Sequence, residues 1–327
     1  MPRSVAVTGA AGFLGGHVVK ALVADGDRVV GIDRRPAPTH LVERGGLSWL
    51  RCELTTAGPA RAGLPAPAAD LPAALRDVDA VLHLAGCPGV RDTSVDVEHR
   101  RQRDNVDAAA IVLQHTPLHV PVLVTSSSSV YGGSRWSRPS AETDLVDPRG
   151  GYASSKAVVE TLCAQRRAAG GLVLVTRPFT LAGEDQRADM ALARWIDAAR
   201  AGRPLRIFGA PERTRDITDV RQAARVLVSL LSHTPHWAAA GGTVNVGTGR
   251  AHTLAELADA ARAAADADVP IVVEPASAVE VRHTLADTRR LQALIGFSPH
   301  TDLQTLVTRQ AATQQFRSGA VADPVST

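Results

Sequence analysis

Short apolar runs rich in β-branched residues alternate with segments of helical periodicity through the first half of the chain. The runs predict strands at Ser4–Gly9, Arg28–Asp33, Trp49–Leu54, Ala80–Gly86, Val120–Ser126 and Leu172–Pro178, with a first helix at Phe13–Asp25. Strands that are apolar at nearly every position and separated by helices are typical of a parallel sheet covered on both faces. The pattern therefore predicts an α/β fold built on a doubly wound parallel sheet.

The pattern becomes less regular after Pro178. It predicts helices near Ala188–Gly202, Val220–Ser232 and Thr253–Ala265, and strands at Val244–Gly247 and Ile271–Glu274. We therefore expect a cofactor-binding domain over residues 1–178 and a smaller, mixed substrate lobe mainly within 179–318, with some of its segments returning to the first domain. Apolar periodicity is weak towards the end, which predicts a frayed tail over 319–327.

Composition excludes several classes of protein. The 327 residues carry 36 Lys+Arg and 33 Asp+Glu, and a net charge of +3 is too small to favour nucleic acid as a partner. Three cysteines without a CxxC pair argue against a disulfide framework and a zinc site, and no metal is predicted. No apolar run approaches the ~18 residues of a membrane span. The apolar start forms a strand and a glycine turn that cleavage would remove, so we reject a signal peptide and expect a cytoplasmic protein.

A glycine-rich turn follows the first predicted strand. Gly9, Gly12 and Gly15 are spaced three apart where the first helix opens. Missing side chains let a pyrophosphate approach the backbone, and the helix N-terminus supplies free N–H groups, as in Rossmann folds. Asp33 ends the second strand, where an acid binds a ribose diol, and it favours NAD. Arg34 and Arg35 could pair with a 2′-phosphate, which leaves NADP open.

A hydroxyl run and a YxxxK pair predict the catalytic site. Tyr152 and Lys156 are one helical turn apart, downstream of the segment TSSSSVYG that ends an apolar strand. Ligands of such sheets bind at the carboxyl ends of the strands. A nearby ammonium lowers the pKa of a phenol, so Tyr152 can take a proton from a substrate hydroxyl as hydride leaves the same carbon. His83 lies in an apolar strand and is predicted to be a core residue.

Six segments together resemble the extended short-chain dehydrogenase/reductases, and among them the nucleotide-sugar epimerases and dehydratases: TGAAGFLG, HLAG, Asn105, SSSSVYG, YASSK and NVGTG. The resemblance runs in the expected order from about Val5 to Phe297. It implies that Ser127 is the catalytic hydroxyl, that Tyr152 is the base and that Lys156 holds the nicotinamide ribose.

The same resemblance implies NAD as the cofactor and a full set of contacts to it. Phe13 and Leu14 would offer backbone N–H groups to the pyrophosphate, and Glu53 replaces the aspartate that usually lies near the adenine. The implied cofactor-binding residues are Gly9, Gly12, Phe13, Leu14, Gly15, Asp33, Arg34, Glu53, Leu54, Leu84, Ala85, Gly86, Asn105, Tyr152, Lys156 and Pro178.

Within this family the chain is most similar to UDP-glucuronic acid 4-epimerases. Dehydratases carry Asp-Glu just after the catalytic hydroxyl and related decarboxylases a Glu in the same turn, whereas this chain has Ser128 and Ser129. The segments Pro88–Arg91 and Phe179–Ala191 resemble the epimerases, although Ala182, Glu184-Asp185 and Ala188 depart from their pattern. The resemblance places Thr180, Ser127 and Ser128 near the sugar carboxylate. The implied substrate-binding residues are Arg91, Ser127, Ser128, Tyr152, Thr180, Arg187, Arg215 and Arg282, the last three on the diphosphate side.

These expectations define a reaction and two alternatives. Tyr152 and bound NAD would interconvert UDP-glucuronic acid and UDP-galacturonic acid through a transient 4-keto sugar. One alternative is an NAD(P)H-dependent sugar ketoreductase, dehydrogenase or decarboxylase, and another is a dinucleotide-binding scaffold without turnover. The resemblance also implies a homodimer in which the helices Val97–His115 and Tyr152–Ala169 pair across a two-fold axis. Ala- and Arg-rich usage suggests a bacterial source.

Overall fold

The computed structural model describes residues 2–42, 45–55, 70–89, 92, 94–134, 138–277 and 279–320, with side chains described up to residue 314. The strands are β1 (Ser4–Thr8), β2 (Arg28–Asp33), β3 (Leu47–Arg51), β4 (Ala80–His83), β5 (Val122–Thr125), β6 (Val173–Pro178), β7 (Thr180–Ala182), β8 (Leu205–Phe208), β9 (Thr214–Asp219), β10 (Thr243–Val246), β11 (Ala251–Thr253) and β12 (Ile271–Glu274).

The helices include those that the sequence pattern predicts and several that it does not. They are α1 (Phe13–Ala24), α2 (Thr39–Val42), α3 (Leu71–Arg76), α4 (Val97–Arg101), α5 (Ala108–His115), α6 (Gly151–Ala168), α7 (Ala191–Arg200), α8 (Val220–Leu231), α9 (Leu254–Ala265), α10 (Arg289–Ile295) and α11 (Leu303–Ala320). A π-helical segment, Gln102–Asp107, joins α4 to α5, and 3₁₀ turns lie at Ser128–Tyr131 and Thr234–His236.

Seven parallel strands form the central sheet in the order β10-β6-β5-β4-β1-β2-β3. The chain builds outward from β1 in one direction through β2 and β3, and then in the other direction from β4. The direction therefore reverses between β1 and β4, and a crevice opens at the carboxyl ends of those strands. β3 ends at Arg51, three residues before the predicted end, although the Cys52 N–H still bonds the Asp33 carbonyl at 3.0 Å.

Both faces of this sheet are buried, which explains why its strands are apolar throughout. One face packs under α1, α8 and α10 around residues such as Val18, Leu22 and Leu227. The other face packs under α3, α5 and α6 around residues such as Leu75, Ile111 and Val159. The predicted doubly wound sheet is confirmed. β10 and α8, which come from the second half of the chain, pack with the first domain.

The smaller lobe combines short sheets with three helices. A three-stranded sheet has the order β11-β9-β7, and β8 pairs with β12. α7, α9 and α11 enclose a separate apolar cluster that includes Leu192, Leu257 and Leu306. α11 continues to Ala320, so the first two residues of the predicted tail are helical instead. Among the described residues, no helix has the length and apolar character needed to span a membrane.

Candidate active site

A cleft of about 1370 Å³ follows the carboxyl ends of the central strands and continues under the smaller lobe. It brings together most of the predicted site residues: Gly9, Gly12, Phe13, Leu14, Gly15, Arg34, Leu84, Gly86, Asn105, Ser127, Ser128, Tyr152, Lys156, Pro178, Thr180, Arg187 and Arg215 all line it. The predicted cofactor half and substrate half therefore share one continuous space.

The glycine turn at one end of the cleft fits a dinucleotide. Gly9 has a φ of +69°, and a Cβ there would lie 2.7 Å from the Ala85 nitrogen. A Cβ on Gly15 would overlap the carbonyl oxygen of Gly9. α1 begins at Phe13, and no side chain caps its N-terminus. Its first backbone N–H groups are therefore not bonded to a capping side chain. This backbone geometry suits a pyrophosphate and leaves no room for larger side chains.

The acid at the end of β2 is fixed for a ribose. The Asp33 carboxylate is 8% exposed and accepts hydrogen bonds from the Ala11 N–H at 3.0 Å and the Arg35 N–H at 2.9 Å. Arg34 lies 3.8 Å from Glu53 and 3.5 Å from Asp104, so two carboxylates already neutralise its charge. This arrangement favours the NAD diol over a 2′-phosphate, as Asp33 alone predicted.

Tyr152, Ser127 and Lys156 meet where the cleft reaches β5 and α6. Burial raises the pKa of Tyr152, whereas a hydrogen bond with the Ser127 side chain and the positive charge of Arg187 lower it. Burial lowers the pKa of Lys156 to about 8, and its Nζ donates to the Thr125 carbonyl oxygen at 2.9 Å. We predicted that Lys156 supplies the charge beside the phenol. In the structure Lys156 is bonded to the end of β5 at Thr125, so its effect on the phenol stays a prediction.

Asn105 ties three elements together behind these residues. It lies in the π-helical segment between α4 and α5. Its Oδ1 accepts from the Cys87 N–H at 2.7 Å, and its Nδ2 donates to Ser155 Oγ at 2.9 Å. Ser155 Oγ in turn donates to the Tyr152 carbonyl oxygen at 2.8 Å. The irregular helix thereby fixes both the loop after β4 and the first turn of α6.

A buried ion pair supports the catalytic helix from the opposite side. Glu160, one turn after Lys156, binds the Arg177 guanidinium at 2.9 and 2.6 Å and accepts from the Ser126 hydroxyl at 2.6 Å. Arg177 also donates to the Tyr131 hydroxyl at 2.9 Å. The Tyr131 hydroxyl then donates to Asn245 Oδ1 at 2.7 Å, which joins the SSSSVYG and NVGTG segments. These charges are paired, as buried charges must be.

Hydroxyls and a guanidinium line the cleft beyond Tyr152. Ser127, Ser128, Ser129 and Thr180 contribute hydroxyls. The Ser129 hydroxyl is buried and has no partner among the described residues, although sequence reasoning did not select it. The position of Ser129 in the run of serines 126–129 is the sequence feature that could have indicated it. Arg187 also lines the cleft, where it pairs with Asp189 and lies close to Gly89.

The remaining predicted residues lie at or beyond the edges of the cleft. Arg215 lines it and donates to the Arg282 carbonyl oxygen at 3.2 Å, while the exposed Arg282 side chain is outside the lining. Leu54 is buried in the same apolar cluster as Leu71 and Leu75. Ala85 lies against Gly9 of the glycine turn. Arg91 falls outside the described residues.

Two further expectations concern charged and titratable side chains. Glu184 departs from the epimerase pattern but does not line the cleft. It is 5% exposed, and its carboxylate pairs with Arg309 and Arg221. His83 is a core residue, as predicted. Burial lowers its pKa to about 3, and its Nδ1 bonds Thr8 Oγ1 at 2.8 Å. No cluster of potential metal ligands is found in the part of the chain that the structure describes.

Comparison with known proteins identifies the family. The model of the NAD dependent epimerase/dehydratase family matches residues 5–247, which is most of the chain. The chain belongs to the NAD-dependent epimerase/dehydratase family. This confirms the predicted resemblance, the prediction of an enzyme and NAD as its cofactor.

Individual relatives of the epimerase/dehydratase family cover nearly the whole chain. A probable UDP-glucuronate 4-epimerase of Rhizobium meliloti is 30% identical over 93% of this chain and 94% of its own length. The solved structure of MoeE5 with UDP-glucuronic acid and NAD has a TM-score of 0.82 and 32% identity, covering 96% of this chain and 99% of that one. A UDP-glucuronic acid 4-epimerase mutant from Bacillus cereus, with a 4-fluoro analogue and NAD, has a TM-score of 0.84 and 26% identity over the same shares.

Proposed function

We propose that this chain is a UDP-glucuronic acid 4-epimerase that interconverts UDP-glucuronic acid and UDP-galacturonic acid. The observation that carries the proposal is that the guanidinium of Arg187 and the hydroxyls of Ser127, Ser128 and Thr180 line the same cleft as Tyr152. A guanidinium with several hydroxyl donors suits a carboxylate, which a neutral hexose lacks.

The residues of the chain divide the acid–base work as follows. Bound NAD supplies the acceptor and donor of hydride at the sugar C4. The hydroxyl of Ser127 orients the C4 oxygen beside Tyr152, and its hydrogen bond stabilises the phenolate. Tyr152 takes the hydroxyl proton when the 4-keto sugar forms and returns it after the sugar has turned over in the cleft. Lys156 places its ammonium where the nicotinamide ribose would bind.

Retention of the carboxylate is the second task of the site. A 4-keto uronic acid is a β-keto acid, and it loses CO₂ when the breaking C–C bond aligns with the carbonyl π system. We propose that Thr180, Ser127 and Ser128 hold the carboxylate out of that alignment. Ser128 and Ser129 also stand where dehydratases carry an acidic pair, so this turn supplies no carboxyl group for the elimination of water.

The solved relatives support the choice of sugar. MoeE5 and the Bacillus cereus enzyme hold UDP-glucuronic acid or its 4-fluoro analogue together with NAD. MoeE5 has also been solved with UDP-glucose, so overall likeness alone does not select the sugar. We infer the uronic acid from the guanidinium and the hydroxyls that share the cleft with Tyr152.

The proposed function is tested by incubating purified protein with UDP-glucuronic acid and no added cofactor. Product analysis by NMR should show UDP-galacturonic acid at equilibrium with the substrate and no pentose. Stoichiometric consumption of added NAD(P)H, followed as absorbance at 340 nm, would instead establish a reductase, and stoichiometric formation of NAD(P)H from added NAD(P)⁺ a dehydrogenase. A UDP-pentose as the main product would establish a decarboxylase.

We further propose that the protein is a homodimer paired through α4–α5 and α6. The family resemblance that implies this pairing supports the proposal, and Val158 lies exposed on α6 within the proposed interface. Light scattering should give twice the chain mass, and Val158→Glu should lower it. A monomer at all concentrations would refute the proposal.

A further inference from the structure

The turn between β7 and α7 is held by a chain of side-chain amides. Gln310 of α11 is 1% exposed. Its Oε1 accepts from the Gly183 N–H at 3.1 Å, and its Nε2 donates to Gln186 Oε1 at 2.7 Å. Gln186 extends this chain of hydrogen bonds, because its Nε2 donates to the Leu181 carbonyl oxygen at 2.8 Å. One amide of α11 therefore fixes both ends of the turn 183–186.

Two cleft-lining residues that the proposed function assigns to the substrate flank this turn. Thr180 directly precedes Leu181, and Arg187 directly follows Gln186. Both side chains line the cleft. The amides of Gln186 and Gln310 thus hold the backbone between Thr180 and Arg187 in one conformation.

The local sequence gives the turn little rigidity of its own. No proline lies between Thr180 and Ala191, so the backbone is not preset by pyrrolidine rings. Asp185 has a φ of +67°, in the left-handed region that residues other than glycine rarely adopt. Such a conformation persists only where surrounding contacts hold it.

Neighbouring contacts hold the turn from two more sides. Arg309, next to Gln310 on α11, donates to Glu184 Oε1 at 2.8 Å and to Asp219 Oδ2 at 2.7 Å. His17 of α1 approaches the Glu184 carbonyl oxygen at 3.1 Å through Nε2. These contacts fix the outer part of the turn, whereas Gln310 acts on the two residues nearest to Thr180 and Arg187.

We propose that Gln310 is a positioning residue that sets the selectivity for an anionic sugar by fixing Arg187 relative to Thr180. The inference rests on the proposed function, in which Arg187 pairs with the carboxylate of the substrate. Loss of the amide should leave the catalytic residues and the cofactor site in place but widen the carboxylate site. Binding of a uronic acid should therefore weaken, while binding of a neutral sugar with the same nucleotide should not.

The test uses Gln310→Met, which keeps the side-chain length and removes both hydrogen bonds. Gln314→Met is the matched control, since Gln314 lies one turn later on α11 and its Nε2 donates at 3.2 Å to the Ala193 carbonyl oxygen of α7 instead. We expect KM for UDP-glucuronic acid to rise about tenfold in Gln310→Met, in line with two lost buried hydrogen bonds. The inhibition constant of UDP-glucose, a competitor without the carboxylate, and the bound NAD should stay unchanged, and Gln314→Met should change neither constant.

The possible failures are distinguishable. A parallel rise in the KM for UDP-glucuronic acid and the inhibition constant of UDP-glucose would overturn the inference, since general loosening of the lobe would then explain it. Unchanged values for both would overturn it as well. If Gln310→Met does not fold, Gln186→Met tests the same connection from the turn. A wild-type protein that does not act on UDP-glucuronic acid would refute the proposed function first, and this inference with it.

Discussion

Two adjacent glycines of α1, Gly15 and Gly16, offer a matched pair of alanine substitutions in the cofactor turn. A Cβ on Gly15 would overlap the carbonyl oxygen of Gly9 and would lie 2.9 Å from its carbonyl carbon and 3.0 Å from the Ala10 Cα. All three are backbone atoms, so no side-chain rotation relieves the contact. A Cβ on Gly16 would meet no atom within 4 Å.

The two substitutions should therefore change the free energy of unfolding in opposite directions. Overpacking typically destabilises by ~1–3 kcal/mol, so Gly15→Ala should lose at least that amount. Gly16→Ala should gain ~0.5–1 kcal/mol, because alanine is favoured over glycine inside a helix. The Gly9 N–H donates to the carbonyl oxygen of Ile32 in β2 at 2.8 Å, so a shift of Gly9 away from the new Cβ would break this hydrogen bond. At an NAD concentration of a hundred times its Kd, binding adds ~2.7 kcal/mol to the free energy of unfolding, and Gly15→Ala should lose this contribution as well.

Urea unfolding with and without added NAD measures both effects, and the NAD released on denaturation counts the bound cofactor. We expect Gly16→Ala to retain the wild-type NAD content and Gly15→Ala to be purified without it. Equal unfolding free energies and equal NAD contents for the two variants would refute the assignment of this turn to the pyrophosphate.

Three further predictions concern the charge and hydroxyl groups of the cleft. Burial lowers the pKa of Lys156 to about 8, so kcat/KM should fall as pH rises through that value and the ammonium loses its proton. Lys156→Arg stays charged and should shift this limb upward, and a flat wild-type profile would contradict the assignment. Thr180→Ala should release a UDP-pentose detectable by NMR, and the absence of any pentose would show that Thr180 does not protect the carboxylate. Asp33→Ser removes the negative charge at the ribose and should raise the affinity for NADP relative to NAD about tenfold, measured by fluorescence titration, whereas an unchanged ratio would contradict its role.

The parts of the fold that follow from local patterns were predictable from the sequence. β1, β4 and β6 bury nearly all their side chains, so their apolar runs identify them, and Gly9 to Gly15 mark the turn between β1 and α1. Tyr152 and Lys156 share a helix face, so their spacing places both in one site. Each of these features depends on residues close together in the chain.

The features that depend on distant partners were not predictable in this way. α11 buries Leu306, Val307 and Ala311 but also the polar Gln310, so its apolar pattern is too weak to predict a helix. The partners of Gln310 lie more than a hundred residues earlier, which no spacing rule reveals.

Arg187 shows the same limit at the catalytic site. The sequence offers Lys156 as the natural cation for Tyr152, because the two are one turn apart. In the structure the ammonium of Lys156 donates to the Thr125 carbonyl oxygen, and Arg187, which follows β7 of the smaller lobe, lines the same cleft as Tyr152. Which cations share the cleft with the phenol depends on how the two lobes pack, and a local motif does not contain that information.

The fate of the hydrogen at C4 tests the central claim most directly. UDP-glucuronic acid deuterated at C4 is incubated with the protein, and the UDP-galacturonic acid formed is analysed by NMR and mass spectrometry. If Tyr152 moves only the hydroxyl proton while hydride leaves and returns at C4, the product keeps all of its deuterium there. Deuterium that is lost to water, or that appears in free dinucleotide, would contradict the account.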